Sequence, residues 1–315
     1  MEDCTHAKAV TYEVEGGTET VCPACKLITK EAKEETPVEK FDLSGANMTL
    51  GNELKINVAV KTELLKDGYI AKITHGDTTI EAAFSKYNST LSTVSYSVSA
   101  KQMADTLTVE VFDANGNAVS NPYEVSVRSY AMKMLGTTTK QTMQTLLVDM
   151  LNYGAEAQKY FKYNEADLAN ALLTDEQKAY ATADVACSNK QVKGDNVFGT
   201  NLTLGDQILL NVGFNNVAEG MYATIEFTDY RGEGKSIEVP FNEFKPFSGS
   251  KYLVVVDDIV LADAFSLVTV TVYNADGTVH GSMTDSVESY VARVGATDLN
   301  GAIMKFAYSA REYLK

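Results

Sequence analysis

The 315-residue chain contains no tryptophan, only three histidines and only four cysteines. It is also short of positive charge: 27 Lys and Arg stand against 42 Asp and Glu, a formal net charge of −15. Each scarcity narrows the function. The acidic balance argues against nucleic acid or an anionic membrane as the main partner, because both are bound through cationic surfaces. Acid–base and metal chemistry must draw on a handful of side chains. Without tryptophan a sugar-stacking platform is weakened, although tyrosine can serve. No run of 18 apolar residues occurs, so no transmembrane helix is expected. The start, Met1-Glu-Asp-Cys-Thr-His6, does not read as a secretory signal, and Tyr313-Leu-Lys315 closes no sorting motif. That is how a fragment of a larger secreted or wall-associated protein, lacking signal and anchor, would look. Apolar residues make up 45% of the chain, enough for folded cores, and the length suits two or three domains.

The chain contains a duplication. Asn47-Met-Thr-Leu-Gly-Asn-Glu-Leu-Lys-Ile-Asn-Val-Ala-Val60 matches residues 201–214, with six of 14 positions identical. Residues 107–116 match 268–277, 126–131 match 286–291, and 150–161 match 303–314. The blocks keep their order at offsets of 154, 161, 160 and 153, which chance similarity does not do. The organisation expected is a small hairpin module over 1–29, a charged linker over 30–40, repeat A over 41–165, a partly helical connector over 166–193 and repeat B over 194–315.

Each repeat opens with strands. Leu54, Ile56, Val58 and Val60 alternate with polar residues, and further short strands are predicted over 69–74, 78–84, 93–98 and 106–112. Asn115-Gly116 and Asp276-Gly277 predict hairpins with a type I′ turn, in which both central residues take positive φ. Each repeat closes with a helix. Leu146, Met150, Tyr153, Ala157 and Tyr160 form one apolar seam, repeated by Leu299, Ile303, Phe306, Ala310 and Tyr313. Small Gly154 and Ala307 beside the seam allow close approach. A shorter helix over 130–135 precedes the first. Thr174 and Gln177 fit a capping box in the connector. The fold class expected is α+β: two antiparallel, sandwich-like β units, each closed by its C-terminal helices, plus the N-terminal module.

Cys4, His6, Cys22 and Cys25 flank a predicted hairpin of Val10–Val14 and Thr18–Val21, turning at Gly16-Gly17. Folding it brings four zinc-type ligands together with C-x₂-C geometry, and a structural zinc would supply folding energy that so short a segment cannot draw from a core. A Cys22–Cys25 disulfide in an oxidising compartment is the competing reading. Cys187 stands alone and reads as a small buried apolar residue.

Several motifs resemble chemistry and read better as turns. Arg231-Gly-Glu-Gly-Lys-Ser236 lacks the first glycine of a phosphate loop, since Asp229 stands there, and a strand follows it. Asp113, Asn115, Asn117 and Glu124 have calcium-loop spacing, but Ala118 replaces the required glycine. His75 and His280 belong to separate repeats and do not align, and no nucleophile motif accompanies them. Tyr87, Tyr123, Tyr230 and Tyr252 are candidate surface aromatics.

The segments Leu146-Leu-Val-Asp-Met-Leu-Asn-Tyr-Gly-Ala-Glu-Ala-Gln-Lys-Tyr-Phe161 and Tyr123-Glu-Val-Ser-Val-Arg-Ser-Tyr-Ala131 resemble a repeat module of large surface and secreted proteins of gut Clostridia, within the Firmicutes. Residues 4–25 resemble the Cys-x-His…Cys-x-x-Cys segments of the same proteins. The resemblance implies a non-catalytic, extracellular or cell-wall-associated binding protein. Its partner would be a host protein, immunoglobulin or mucin-like. A polysaccharide-binding module of a secreted multidomain enzyme and a structural spacer are the alternatives. No binding residues carry over.

Overall fold

The computed structural model describes residues 6, 8–14, 17–32, 39–51, 53–204, 207–295 and 297–315. The chain forms two compact units, Met1–Lys40 and Phe41–Lys315. Among the described residues no helix is long and apolar enough to cross a membrane.

The first unit is a three-stranded antiparallel sheet of β1 (Val10–Val14), β2 (Gly17–Val21) and β3 (Ile28–Ala32), in that order. The sequence foresees β1 and β2 and assigns residues 30–32 to the linker. Instead β3 takes them in a five-residue antiparallel ladder with β2, in which Lys30 falls opposite Glu19 and pairs with it at 3.6 Å. The expected turn residue Gly16 and linker residues 33–38 lie outside the described residues. Every residue of β1 is exposed, and among the described residues of this unit only Cys22 is buried.

The second unit begins with β4 (Gly45–Leu50), β5 (Leu54–Lys61), β6 (Ile70–His75), β7 (Thr78–Ala82), β8 (Ser85–Lys86), β9 (Leu91–Ser97), β10 (Leu107–Phe112) and β11 (Tyr123–Val125), then α1 (Val127–Leu135) and α2 (Gln141–Phe161). Two sheets, β4-β5-β9-β8 and β11-β10-β6-β7, bury Ile56, Val58 and Val60 of one against Ala71, Ile73, Val109 and Val111 of the other. The connector holds α3 (Asp175–Lys178), started by the Thr174–Gln177 capping box. After it come β12 (Val192–Lys193), β13 (Val197–Leu204), β14 (Ile208–Phe214), β15 (Tyr222–Thr228), β16 (Gly234–Pro240), β17 (Lys245–Ser248), β18 (Lys251–Val256), β19 (Val268–Tyr273), β20 (Val279–Asp285), α4 (Val287–Val294) and α5 (Asp298–Leu314). Their sheets, β13-β14-β18-β17 and β12-β20-β19-β15-β16, keep the strand order of the first half, with β12 added at one edge.

Local chemistry recurs with the order. Asn57 Nδ2 donates to Asn47 Oδ1 at 2.7 Å and Thr49 Oγ1 at 2.8 Å, and Asn211 Nδ2 donates to Asn201 and Thr203 at 2.8 Å each. Ser126 and Ser286 both cap a helix through the N–H three residues on. The predicted type I′ hairpins take another form. Only Gly116 and Gly277 adopt positive φ, +83° each, while Asn115 and Asp276 do not. The turn is type I followed by a left-handed glycine, which asks just one residue to leave the ordinary regions.

The helices depart from expectation in what they close. The sequence expects each to cover its own sandwich. In fact α2 and α5 pack on each other, and seam residues of both merge with the first sandwich in one core that also holds Val287 and Val291 of α4. The second sandwich keeps a separate core around Leu210, Val212, Phe214, Ile225 and Val270. Close approach at Gly154 is real: a Cβ there would stand 2.7 Å from Met103 Sδ and 3.2 Å from the Ala100 carbonyl. Tyr160, counted in the seam, is instead 65% exposed and meets the Phe161 ring edge-on.

Across the contact residues meet their own counterparts. Tyr153 faces Phe306 with ring centroids 5.8 Å apart, and Gln207 Nε2 donates to Glu53 Oε1 at 3.3 Å. Val98 and Ile259, Ala100 and Leu261, and Leu54 and Ile208 line one small cavity between the halves. Self-facing contacts are what a twofold axis produces. The connector straps the assembly. Arg128 of α1 grips its start through Asp167, bidentately at 2.5 and 2.8 Å, while Glu288, the matching residue of α4, holds its end through Ser188 and Lys190. Buried Asp149 accepts from Thr182 midway.

One buried ion pair belongs to the second half alone. Asp285, fully buried, accepts from Arg293 at 2.9 and 2.6 Å, Thr200 at 2.6 Å and Gln191 at 3.0 Å. Val125, Lys133 and Ala46 stand at the matching positions of the first half. Burial raises the Asp285 pKa, but Arg293, Thr200, Gln191 and the Ser286 N–H outweigh it and hold the group below its ordinary value. Asp285→Ala is expected to cost about 3–5 kcal/mol by calorimetry, since Arg293 loses its partner in a largely buried site. With the folded pKa depressed, the pair stabilises above the unfolded carboxylate value of about 3.9 and fades as pH falls through the folded one. The melting gap between wild type and Asp285→Asn should therefore be full at pH 7 and narrow at pH 2. Glu53 is held down to about 2, first by the Ser97 hydroxyl, then by Lys55 and Gln207. Gln207→Glu would set two carboxylates face to face, and a loss on the order of 1 kcal/mol at pH 7 that disappears once both are protonated is expected in thermal melts.

Candidate functional site

The N-terminal unit places its ligand-type residues at one corner of the sheet. Cys22 directly follows β2, and Pro23 and Ala24 turn the chain so that the Lys26 N–H reaches the Cys22 carbonyl at 2.8 Å, with Lys26 at φ +60°. The turn brings Cys25 back beside Cys22. His6 reaches the same corner, its Nδ1 3.4 Å from Cys25 Sγ. Ligand atoms of His6, Cys22 and Cys25 all lie within 4.8 Å of one another. A tetrahedral zinc with thiolate and imidazole ligands sets its donors about 3.3–3.9 Å apart, so the set fits with small adjustment. The Cys22 thiol is drawn down to about 6, chiefly by the Cys25 backbone N–H and then by His6, which favours the thiolate a metal takes. The fourth expected ligand, Cys4, lies outside the described residues. The three that are described converge as the spacing foresees.

A second cluster escaped sequence reading. His75, at the end of β6, lies 2.9 Å through Nε2 from Asp105 Oδ2 and 3.1 Å through Nδ1 from the Tyr96 hydroxyl, and Tyr163 donates to the same Asp105 oxygen at 2.5 Å. The Tyr163 phenol is pushed up to about 12, first by that hydrogen bond. The quartet ties β6, β9, the loop before β10 and the chain just past α2. With both ring nitrogens of His75 engaged inside the fold, the arrangement clamps elements together. Asp105 stands 30 residues from His75, and no motif joins residues so far apart.

The remaining candidates are structural. Asp113 Oδ1 accepts the N–H groups of Asn115 and Asn117, both at 2.9 Å, so its carboxylate serves the hairpin turn. Those N–H groups, Asn117 first, hold the Asp113 pKa down. Asp229 does the same for Arg231 and Glu233, and Lys235 sits in β16, not at a helix start. His280 Nε2 meets the Asn215 carbonyl at 2.8 Å. Cys187 is half-buried, and burial pushes its thiol up. Of the candidate tyrosines, Tyr87 is exposed, whereas Tyr123, Tyr230 and Tyr252 are half-buried. The cavity between the halves measures about 60 Å³, far below the roughly 300 Å³ at which ligand pockets begin, and acts as a packing gap.

No protein-family model matches the chain, and no curated protein matches it. Among solved structures it is similar to a pullulanase from Anoxybacillus sp. LM18-11 complexed with maltotriose (10% identity, 76% of this chain and 25% of that chain, TM-score 0.20). It is likewise similar to a pair of domains of Extended-Synaptotagmin 2 (9%, 86% and 86%, 0.24) and to a 1.5-MDa bacterial ice-binding adhesin (12%, 86% and 72%, 0.19). The chain spans about a quarter of the pullulanase's length. At such scores the neighbours' ligands say nothing of this chain's.

Elemental analysis of protein purified without chelator should find about one zinc per chain, lowered by Cys25→Ser. Chelation should abolish the chain's proteolytic resistance near residues 6–32 while the calorimetric transition of Phe41–Lys315 stays in place.

Proposed function

We propose that this protein is a non-catalytic binding protein of a bacterial surface or secretion, whose body is a duplicated, fused pair of β-sandwich domains engaging a host protein, immunoglobulin or mucin-like. The observation that carries the reading is the contact of residues with their own counterparts. It supports one domain doubled and closed on itself through its helices, so that two related sandwiches travel as one body. Two related sites on one body raise avidity by orders of magnitude without tighter individual contacts. The engagement of His75, Asp105, Asp113 and Asp285 in structural contacts supports a scaffold, as does the resemblance of residues 123–131 and 146–161 to surface-protein repeats. Zinc at His6, Cys22 and Cys25, with Cys4, would hold the N-terminal unit. An extracellular or wall-associated home follows from the same resemblance.

The test is retention on the immobilised full chain. Purified serum immunoglobulin and purified mucin are passed over it at micromolar concentration. At least one should be retained and released by free chain. Failure of both overturns the reading and leaves a spacer.

A further inference from the structure

The outer face of the second sandwich carries a feature the first lacks. In the sheet β13-β14-β18-β17, Leu210, Val212 and Phe214 of β14 point into the core, so Gly213 between them points out. Gly213 is nevertheless buried, because the ring of Phe198 lies flat upon it: a Cβ at Gly213 would stand 2.3–2.6 Å from three ring carbons. Phe247 comes from the opposite edge of the sheet and stacks on Phe198, with centroids 5.2 Å apart and planes inclined by 30°. Phe247 itself is 58% exposed.

Both phenylalanines sit where strand register shifts, Phe198 between Val197 and Gly199 and Phe247 between Pro246 and Ser248. Such bulges re-aim a side chain out of the regular alternation and frequently mark functional positions. Two bulges on two edge strands thus aim two rings to meet above one glycine. Core packing does not ask for this, and leaving a phenylalanine in water costs stability. The first half has Ser44 and Ala59 at the positions of Phe198 and Gly213, and its β4–β5 register runs without a shift.

The surroundings carry the chemistry of the occupant. Lys251 Nζ lies 5.4 Å from the Phe198 ring centroid, and Lys193 Nζ donates to the Phe198 carbonyl at 3.3 Å. Neither lysine, nor Lys245 near Phe247 on β17, takes part in an ion pair among the described residues, in a chain rich in acidic partners. One strand alternation beyond Gly213, about 7 Å along β14, buried Asn211 holds exposed Asn201 and Thr203 in place on the same face by donating to both. An aromatic face, amide and hydroxyl groups one ring-width away, and unpaired cations at the margin match a sugar chain carrying carboxylate or sulfate groups. A protein partner would be met with fewer lysines, which interfaces tend to exclude.

We propose that the Phe198–Phe247 stack is a binding platform for an acidic saccharide, a pyranose ring lying on the open face of Phe247 while Lys251 and Lys193 meet its negative groups. The proposal rests on the binding-protein reading and makes a glycan the part of the ligand that is touched. The test is calorimetric titration of the full chain with polygalacturonate, chondroitin sulfate and a sialylated mucin oligosaccharide, with dextran as neutral control. Wild type should bind at least one anionic chain and not dextran. Phe247→Ala and Lys251→Gln, both at exposed positions, should each weaken binding about tenfold or more with unchanged melting temperature, and added salt should weaken wild type. Three results would overturn the platform: no anionic saccharide bound, equal binding by Phe247→Ala, or equal binding of dextran. Retention of immunoglobulin by wild type and Phe247→Ala alike, with no saccharide bound, would also overturn it while leaving the proposed function standing.

Discussion

The body of this protein depends on one packing contact, α2 against α5. Tyr153 and Phe306 meet across it, Gly154 lets α2 close on the turn that carries Ala100 and Met103, and the seams complete the core of the first sandwich. The first sandwich and the facing helix together bury those seams. A helix with one apolar stripe is stable only when that stripe is covered, and here each stripe is covered largely by the other. The halves are therefore joined by their cores as well as by the chain, and the connector is a strap over an interface that already exists.

Much of this was legible in the sequence because it rests on local periodicity. The alternation of Leu54, Ile56, Val58 and Val60, the seam from Leu146 to Ala157 and the Thr174–Gln177 box are each written within a few residues, and each appears where its spacing puts it. Errors arise where a neighbour from elsewhere decides. Tyr160 keeps the helical period yet is exposed, which its own segment does not reveal. The hairpins take a type I turn because strain is lower with glycine alone at positive φ. Lys30 joins a strand by pairing along the whole of β2, a partner its own charged segment does not announce.

The candidate sites divide in the same way. His6, Cys22 and Cys25 could be named from spacing, since a C-x₂-C turn and a hairpin fix their meeting almost by themselves. The His75–Asp105 clamp and the Asp285–Arg293 pair could not, for their partners arrive from separate elements. The phenylalanine stack was hidden for another reason. A bulge is a fault in alternation, and a reading that follows alternation passes over the residue that breaks it.

The strap carries a further consequence. The second residue of α1 is Arg128 and that of α4 is Glu288; the first holds an acidic segment, the second holds Lys190. These two positions work as a polarity key. Were the halves exchanged in chain order, each end of the strap would meet a residue of its own sign. The body is thus not indifferent to which half comes first, because each end of the strap is matched in charge to one half alone.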